Sequence, residues 1–159
     1  PGDPQLIERI VARARRRALP LLNGGTALID TTYVDNAASG IVAALHRADA
    51  VGGRAYVLTN GEPRPVGDLM AGICRAAGAP EPKLRLPAAV ARAAGAAVEK
   101  VWEVRPGADE PPMTRFLAEQ LSTAHWFDQT DIRRDLQWAP TVSIDEGLAR
   151  LAEHYAARR

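Results

Sequence analysis

The chain has little of several residue types, and each shortage excludes a class of protein. It contains one cysteine, so an internal disulfide cannot form and a small secreted fold held by bridges is excluded. Aromatic residues make up only 5% of the 159 positions, so the core must be built from Leu, Ile, Val and Ala. The net charge of +1 gives no bulk attraction to nucleic acid or to acidic membranes.

Long apolar runs are also missing. The most apolar stretch is an Ala-rich helix predicted over residues 88–104, but Arg92, Glu99 and Lys100 interrupt it. A membrane-spanning helix needs about 20 mostly apolar residues, so this stretch does not predict one. Helical spacing places one set of side chains on its packed side: Val90, Ala94, Val98 and Val101 or Trp102.

Metal-binding chemistry is not indicated either. His46, His125 and His154 stand far apart, with no Cys or carboxylate at ligand spacing, so no metal site is predicted. Cys74 follows Met70 by one helical turn, which favours a small buried side chain over a nucleophile.

The most informative segment is a strand followed directly by a helix. Residues 28–34 are β-branched and apolar and predict a short strand. A small-residue helix is predicted over 36–47, with the Asp35 carboxylate as its cap. Tight strand-to-helix turns of this α/β kind face ligands at the carboxyl ends of strands, although Asp35 could equally be a cap and nothing more.

Other local patterns predict the remaining elements. Strands are predicted at residues 55–59, 83–86 and 125–128, and a helix at about 66–77 that stops at Gly78. Ser143 and Glu146 form a capping box that starts the last helix. The buried side of that helix is predicted to consist of Ile144, Leu148, Leu151 and Tyr155.

Several motifs together carry a family resemblance. The pattern Asp30-x-x-Tyr33-Val34-Asp35-Asn36-x-Ala38 resembles a segment of the extended short-chain dehydrogenases, in the branch of 3β-hydroxysteroid and sterol dehydrogenases. Residues 53–63 are similar to the strand and turn that end in Glu-Pro in that family. Residues 86–87, 112–115 and 127–140 match further family pieces in order and spacing. The resemblance therefore covers nearly all of the chain.

The resemblance implies an α/β fold and a larger parent enzyme. Residues 1–159 would form one compact unit, the C-terminal substrate-binding lobe with the last strands and helices of a Rossmann-type doubly wound sheet. The family's glycine-rich turn and its Tyr-x-x-x-Lys pair are both missing from this sequence. Pro1-Gly2-Asp3 resembles the tail of the family's Gly-Pro-Gly-Asp motif. We therefore expect the N-terminal cofactor-binding part to be absent from this chain.

The implied function is that of an NAD(P)-dependent oxidoreductase that interconverts a secondary alcohol and a ketone by hydride transfer. The resemblance makes Ile29, Thr31 and Tyr33 the expected substrate-binding residues and places Pro1 and Gly2 near the nicotinamide. No catalytic residue is assigned, so the chain alone is expected to be inactive and to bind NAD or NADP mainly through the missing part.

Two departures from the wider superfamily bear on the substrate and on local structure. Nucleotide-sugar epimerases have a segment similar to Arg-Asp-Tyr at this strand, and its Arg contacts the nucleotide. This chain has Ile29 at the corresponding position, beside Asp30. An aliphatic side chain cannot offer that charge or its fork of donors, which favours an apolar, hydroxysteroid-like substrate. Gln137 stands where relatives commonly have Gly, and we expect the turn to differ there because a Cβ disfavours a left-handed cap.

Alternative functions stay open. The parent could be a nucleotide-sugar epimerase or dehydratase, or a non-catalytic NAD(P)-binding regulatory protein of the same fold. In each case we expect a cytoplasmic protein whose apolar face is covered by the missing cofactor domain or by another copy of the chain. No nucleic-acid partner and no membrane span are expected.

Overall fold

The computed structural model describes residues 6–103 and 115–158, which form helices around two small sheets. Pro1, Gly2 and residues 104–114 lie outside the described residues, as do the side chains of Val101 and Trp102. The helices are α1 (Ile7–Arg15), α2 (Val34–His46), α3 (Ala48–Val51), α4 (Val66–Ala76), α5 (Ala88–Glu103), α6 (Arg115–Gln120), α7 (Thr130–Leu136) and α8 (Ile144–Ala156). The strands are β1 (Pro20–Leu22), β2 (Leu28–Ile29), β3 (Arg64–Pro65) and β4 (Leu84–Leu86).

The two sheets have two strands each. β1 and β4 pair in parallel, with Leu21 opposite Arg85. β2 and β3 pair antiparallel, with Ile29 opposite Arg64. A parallel connection needs a long crossover, and here the chain between β1 and β4 contains α2, α3 and α4. The predicted α/β class is confirmed.

The predicted strand at residues 55–59 is not a strand in the structure, although side chains bond to several of its backbone groups. Gln129 replaces a strand partner: its side-chain amide donates to the Val57 carbonyl at 3.2 Å and accepts from the Thr59 N–H at 3.2 Å. The Thr32 hydroxyl donates to the Leu58 carbonyl at 3.0 Å. Backbone groups that side chains satisfy need no ladder, so β-propensity alone gave the wrong element.

Two other predicted strands are shorter than expected. Of residues 28–34, only Leu28–Ile29 pairs with another strand. Of residues 125–128, only His125 forms a bridge, to Ile29, through hydrogen bonds of 2.8 and 2.9 Å with Leu28 and Asp30.

Three helices form the main core together with β1. α4 matches its prediction, because Met70, Ile73 and Ala77 are buried and Gly78 ends the helix with a φ of +63°. The capping box is confirmed on its Ser side, where the Ser143 hydroxyl accepts from the Glu146 N–H at 3.1 Å. The buried members of this core are Ile10, Val11, Ala14, Leu19, Val66, Met70, Ile73, Cys74, Ala77 and Leu151.

The first half of the side predicted for α5 does not face inward, although Val98 is half-buried. Val90 is 53% exposed and Ala94 is exposed, whereas Ala88, Ala91 and Gly95 are buried. The smaller side chains face inward because α5 lies close to α6, where Ala118 is fully buried beside Ala91 and Leu22. Among the described residues, no helix is both long and apolar enough to cross a membrane.

α2 presents apolar side chains on two sides. Its inner side includes Gly40, where an added Cβ would lie 1.8 Å from a methyl carbon of Leu58, so this helix approaches as closely as glycine permits. Its outer side carries an apolar stripe at helical spacing, formed by Val34, Ile41, Val42 and Leu45, which are 51–73% exposed. An apolar stripe that the chain leaves exposed is typical of a surface that packs against a partner.

The turn after α7 corrects the expectation for Gln137. This residue ends the helix in the left-handed conformation, with φ of 50° and ψ of 39°. Its side chain contacts Arg47 on the surface. The chain thus keeps a left-handed cap despite the energetic cost of the Cβ.

Gln137→Gly is expected to raise the free energy of unfolding by about 0.5–1 kcal/mol, because glycine adopts this conformation without steric cost. Gln137→Ala is the matched control, since it loses the Arg47 contact but keeps the Cβ. Urea unfolding measures both variants. Equal stability of the Gly and Ala variants would contradict a backbone origin.

Candidate functional site

A pair of buried side-chain amides organises the strand-to-helix turn. Asn36 is fully buried and Asn60 is 1% exposed. The Asn36 amide donates to Asn60 Oδ1 at 2.9 Å and to the Val142 carbonyl at 2.7 Å. Its oxygen accepts from the N–H groups of Thr141 and Val142 at 3.0 and 3.1 Å. Three distant stretches of chain are therefore joined at one point.

This amide pair also fixes the start of α2. Asn60 Oδ1 accepts from the backbone N–H of Tyr33 at 3.0 Å, and Asn60 Nδ2 donates to the Val142 carbonyl at 2.8 Å. The predicted capping role of Asp35 is wrong, since the helix begins at Val34, with Tyr33 as its N-cap. Asp35 instead lies in the first turn, where its carboxylate complements the helix dipole and pairs with Arg150 at 3.1 Å.

Asp30 connects the end of β2 to the segment at residues 55–59. Its Oδ2 accepts from the Thr59 hydroxyl at 2.7 Å, and its backbone N–H donates to the His125 carbonyl. Its Oδ1 is buried, and no group within residues 6–103 and 115–158 forms a hydrogen bond with it. The exit of β2 is therefore held from both sides, so the position of residues 31–33 is well determined.

An apolar groove of about 500 Å³ opens beside this turn. The turn contributes Thr31, Thr32, Tyr33 and Val34 to one side of the groove, and α1, α4 and α8 contribute the opposite sides. Aliphatic side chains make up most of that part of the lining: Leu6, Ile7, Leu69, Ile73, Ile144, Leu148 and Leu151. Thr31 and Tyr33 add hydroxyl-bearing side chains to this lining, whereas the Thr32 hydroxyl donates to the Leu58 carbonyl. Such a surface suits a mostly apolar ligand with one polar group.

The structure brings two of the predicted substrate residues together and separates the third. Thr31 and Tyr33 both line the apolar groove. Ile29 lies in β2, half-buried, and packs against the main core rather than into this groove. Pro1 and Gly2, the predicted cofactor-binding residues, lie outside the described residues.

A second cavity of similar volume has a different character. It is lined by Arg54, Tyr56, Asp128, Asp131 and Asp135, among others. Arg134 and Tyr56, with Arg54, hold the pKa of Asp135 well below its ordinary value by hydrogen bonding and charge. These groups satisfy one another, which is typical of a structural ion cluster.

Reactive groups are sparse in the part of the chain that the structure describes. Burial raises the pKa of the Cys74 thiol, which is fully buried, so this cysteine is a core residue as predicted. Within residues 6–103 and 115–158, no three His, Cys, Asp or Glu side chains are grouped to hold a metal ion.

Curated relatives align along almost the whole chain. No family model matches. A 2-alkyl-3-oxoalkanoate reductase of Stenotrophomonas maltophilia is 43% identical over 99% of this chain and 48% of its own length. A 3β-hydroxysteroid dehydrogenase/decarboxylase of Arabidopsis thaliana is 31% identical over 98% of this chain and 29% of its own length. Along nearly its whole length the chain is similar to reductases and dehydrogenases of the extended short-chain dehydrogenase/reductase superfamily.

The relatives include 3β-hydroxysteroid and sterol dehydrogenases as well as 2-alkyl-3-oxoalkanoate reductases. The chain spans about half the length of the first curated relatives that it matches. Solved structures agree on the fold: a UDP-glucuronic acid 4-epimerase of Bacillus cereus, in complex with NAD, superposes with a TM-score of 0.61 at 19% identity. That superposition covers 98% of this chain and 40% of the epimerase.

Asn36→Asp is expected to lower the free energy of unfolding by about 2–3 kcal/mol at pH 7, because a carboxylate oxygen would face the Val142 carbonyl and Asn60 Oδ1. Burial among acceptors raises the pKa of the new carboxyl in the folded state. The loss should therefore be smallest below about pH 4, the ordinary value, and should grow as pH rises.

Asn23→Asp is the matched control. Asn23 is exposed, and its Oδ1 only accepts from the Ala88 N–H at 2.9 Å, which a carboxylate can also do. Its effect should stay within about 0.5 kcal/mol. Urea unfolding at pH 4 and pH 7 measures the stability of both variants. Equal losses of stability in Asn36→Asp and Asn23→Asp would contradict the assigned role of the Asn36 amide.

Proposed function

We propose that the chain is the substrate-binding part of an NAD(P)-dependent oxidoreductase that interconverts a secondary alcohol and a ketone, and that Thr31 and Tyr33 bind the substrate. The observation that carries the proposal is the apolar groove with hydroxyl-bearing side chains in its lining, in a chain similar to members of a dehydrogenase superfamily. NAD or NADP would accept or supply the hydride. The sequence has no glycine-rich pyrophosphate turn, so the remainder of the parent protein would hold most of the cofactor, with Pro1 and Gly2 near the nicotinamide.

A hydroxysteroid-like substrate is the favoured class. The groove lining is mostly aliphatic. A UDP-sugar would bring a diphosphate, which needs cationic or backbone N–H donors. In the part of the chain that the structure describes, neither Arg nor Lys is among the residues that line the apolar groove.

A second substrate class has support from the relatives. The name of the Stenotrophomonas maltophilia relative describes a reductase of 2-alkyl-3-oxoalkanoates, which is ketone reduction on an alkyl-chain substrate. Such a molecule also combines a long apolar part with one reacting oxygen. Both classes use the same hydride chemistry, so they differ in shape rather than in reaction type.

The parent enzyme provides the direct test. It should oxidise a 3β-hydroxysteroid with NAD or NADP, or reduce a 2-alkyl-3-oxoalkanoate with the reduced cofactor, as measured by nicotinamide absorbance. UDP-glucuronic acid is the comparison ligand in thermal-shift assays. Stabilisation by UDP-glucuronic acid alone, with no turnover of either apolar substrate, would support the epimerase or dehydratase alternative instead.

The isolated chain gives a complementary result. It should show no turnover and no micromolar binding of NAD or NADP by calorimetry. Micromolar binding would show that the cofactor site is not elsewhere in the parent protein. A parent that lacks the Tyr-x-x-x-Lys pair and binds the cofactor without turnover would indicate the regulatory alternative.

The same proposal assigns a partner to the outer stripe of α2. We infer that Val34, Ile41, Val42 and Leu45 pack against the cofactor domain of the parent or, in its absence, against a second copy of this chain. Four large apolar side chains at least half exposed on one helix exceed what an isolated surface usually shows. A cytoplasmic location belongs to this proposal and is supported by the single cysteine.

Sedimentation of the purified chain tests the stripe. The wild-type chain should self-associate, and Ile41→Lys with Leu45→Lys should shift it to monomer by placing charges on the apolar side. Ala50→Lys, on the exposed side of α3, is the matched control and should leave association unchanged. A wild-type chain that stays monomeric at high concentration would contradict the inference.

A further inference from the structure

The Tyr33 ring lies close to the backbone of α8 at Gly147. An added Cβ on Gly147 would lie 2.9 Å from Tyr33 Cδ2 and 3.3 Å from Cε2. Both distances are shorter than ordinary van der Waals contact, so the ring reaches this place only because residue 147 has no side chain. Tyr33 and Gly147 both line the apolar groove.

Arg150, one turn further along α8, holds the ring from a second direction. Its guanidinium carbon is 5.5 Å from the ring centroid, within the range of a cation–π contact. Arg150 is itself held by two carboxylates, Asp35 at 3.1 Å and Glu146 one turn earlier on the same helix. The contact with Tyr33, followed by that with Glu146, raises the pKa of Arg150 above its ordinary value.

The backbone of Tyr33 is fixed independently of its ring. The N–H of Tyr33 donates to Asn60 Oδ1 at 3.0 Å, within the buried amide pair. Loss of Arg150 also removes its ion pair with Asp35 in the first turn of α2, but the bond from the Tyr33 N–H to Asn60 remains and still anchors the backbone at residue 33. This separation makes the role of the ring contact measurable without unfolding the chain.

We propose that Arg150 is a positioning residue that holds the Tyr33 ring as a preformed wall of the apolar groove. This rests on the proposed function, in which that groove binds the substrate. A rigid polycyclic ligand gains from a wall that is already ordered, because binding then does not have to immobilise the side chain. Without Arg150, ligand binding has to restrict the motion of the Tyr33 ring. Loss of an exposed cation–π contact then corresponds to a loss of ligand affinity on the order of two- to five-fold.

The experiment uses the chain with fluorinated tyrosine, observed by ¹⁹F NMR. Tyr33, Tyr56 and Tyr155 are the three tyrosines of the sequence, so three signals are expected, and Tyr33→Phe assigns one of them. Arg150→Met should shift the Tyr33 signal and leave the Tyr56 signal in place. Arg150→Lys keeps a cation and should retain most of the wild-type shift. Arg75→Met removes a similarly exposed ion pair, with Glu81, and is the matched control.

Titration with the 3β-hydroxysteroid dehydroepiandrosterone then measures affinity. Arg150→Met should weaken binding about two- to five-fold, and Arg75→Met should not. In a Tyr33→Ala background, Arg150→Met should have no further effect, because the residue acts through the ring. An equal loss in both backgrounds, or an unmoved Tyr33 signal in Arg150→Met, would overturn the positioning role.

Failure of the proposed function would look different. If the wild-type chain did not bind the hydroxysteroid while the Tyr33 signal still moved in Arg150→Met, the contact between Arg150 and Tyr33 would stand. The groove would then not be a hydroxysteroid site, and the claim that Arg150 assists hydroxysteroid binding would be overturned.

Discussion

The architecture around the groove depends on the hydrogen bonds of two buried side-chain amides. Asn36 and Asn60 use their donors and acceptors on each other and on the backbone of residues 33, 141 and 142. A buried polar group left unpaired costs about 1–3 kcal/mol, so a network that satisfies every member specifies one arrangement strongly. The network therefore fixes three parts of the chain relative to one another before any ligand binds. They are the start of α2, the turn at Asn60 and the residues that precede α8.

Features of the fold that depend on short stretches of sequence could be predicted from it. α4 has its apolar spacing, its preceding proline and its terminal glycine within one short window, and all three act as expected. The Ser143 cap and the burial of Cys74 are local in the same way. The segment at residues 55–59 could not be assigned, since a strand is a relation between two segments. Gln129, about 70 positions away, occupies the place of the partner.

The side of a helix that faces inward was harder to predict than the helix itself. In α5 the valines marked one side by hydrophobicity, but close packing against α6 selected the side with Ala and Gly. In α2 apolar residues lie on both the inner and the outer side, so the sequence could not show which of the two sides packs against the rest of the chain. The apolar composition of a helix shows that it is buried on some side. How closely the neighbouring helix packs decides which side faces inward.

In the candidate site, too, residues that share one local motif could be predicted and residues that meet across the fold could not. Thr31 and Tyr33 could be predicted because one motif contains them, together with Asn36. Arg150 and Gly147 could not, because they meet Tyr33 across more than 110 positions of sequence. One signal was present: a glycine in the interior of α8 is unfavourable for a helix and so indicates that something lies close to its backbone.

The amide pair also has a chemical consequence for the lifetime of the protein. Asn60 is followed by Gly61, a dipeptide whose side-chain amide cyclises readily onto the next backbone nitrogen when the chain is free to bend. In the folded state Asn60 is 1% exposed and its amide is engaged, which restrains that reaction. The resulting aspartate or isoaspartate would lack the donor to the Val142 carbonyl. Each excursion to the unfolded state therefore exposes the chain to an irreversible ageing reaction, after which the same network can no longer form.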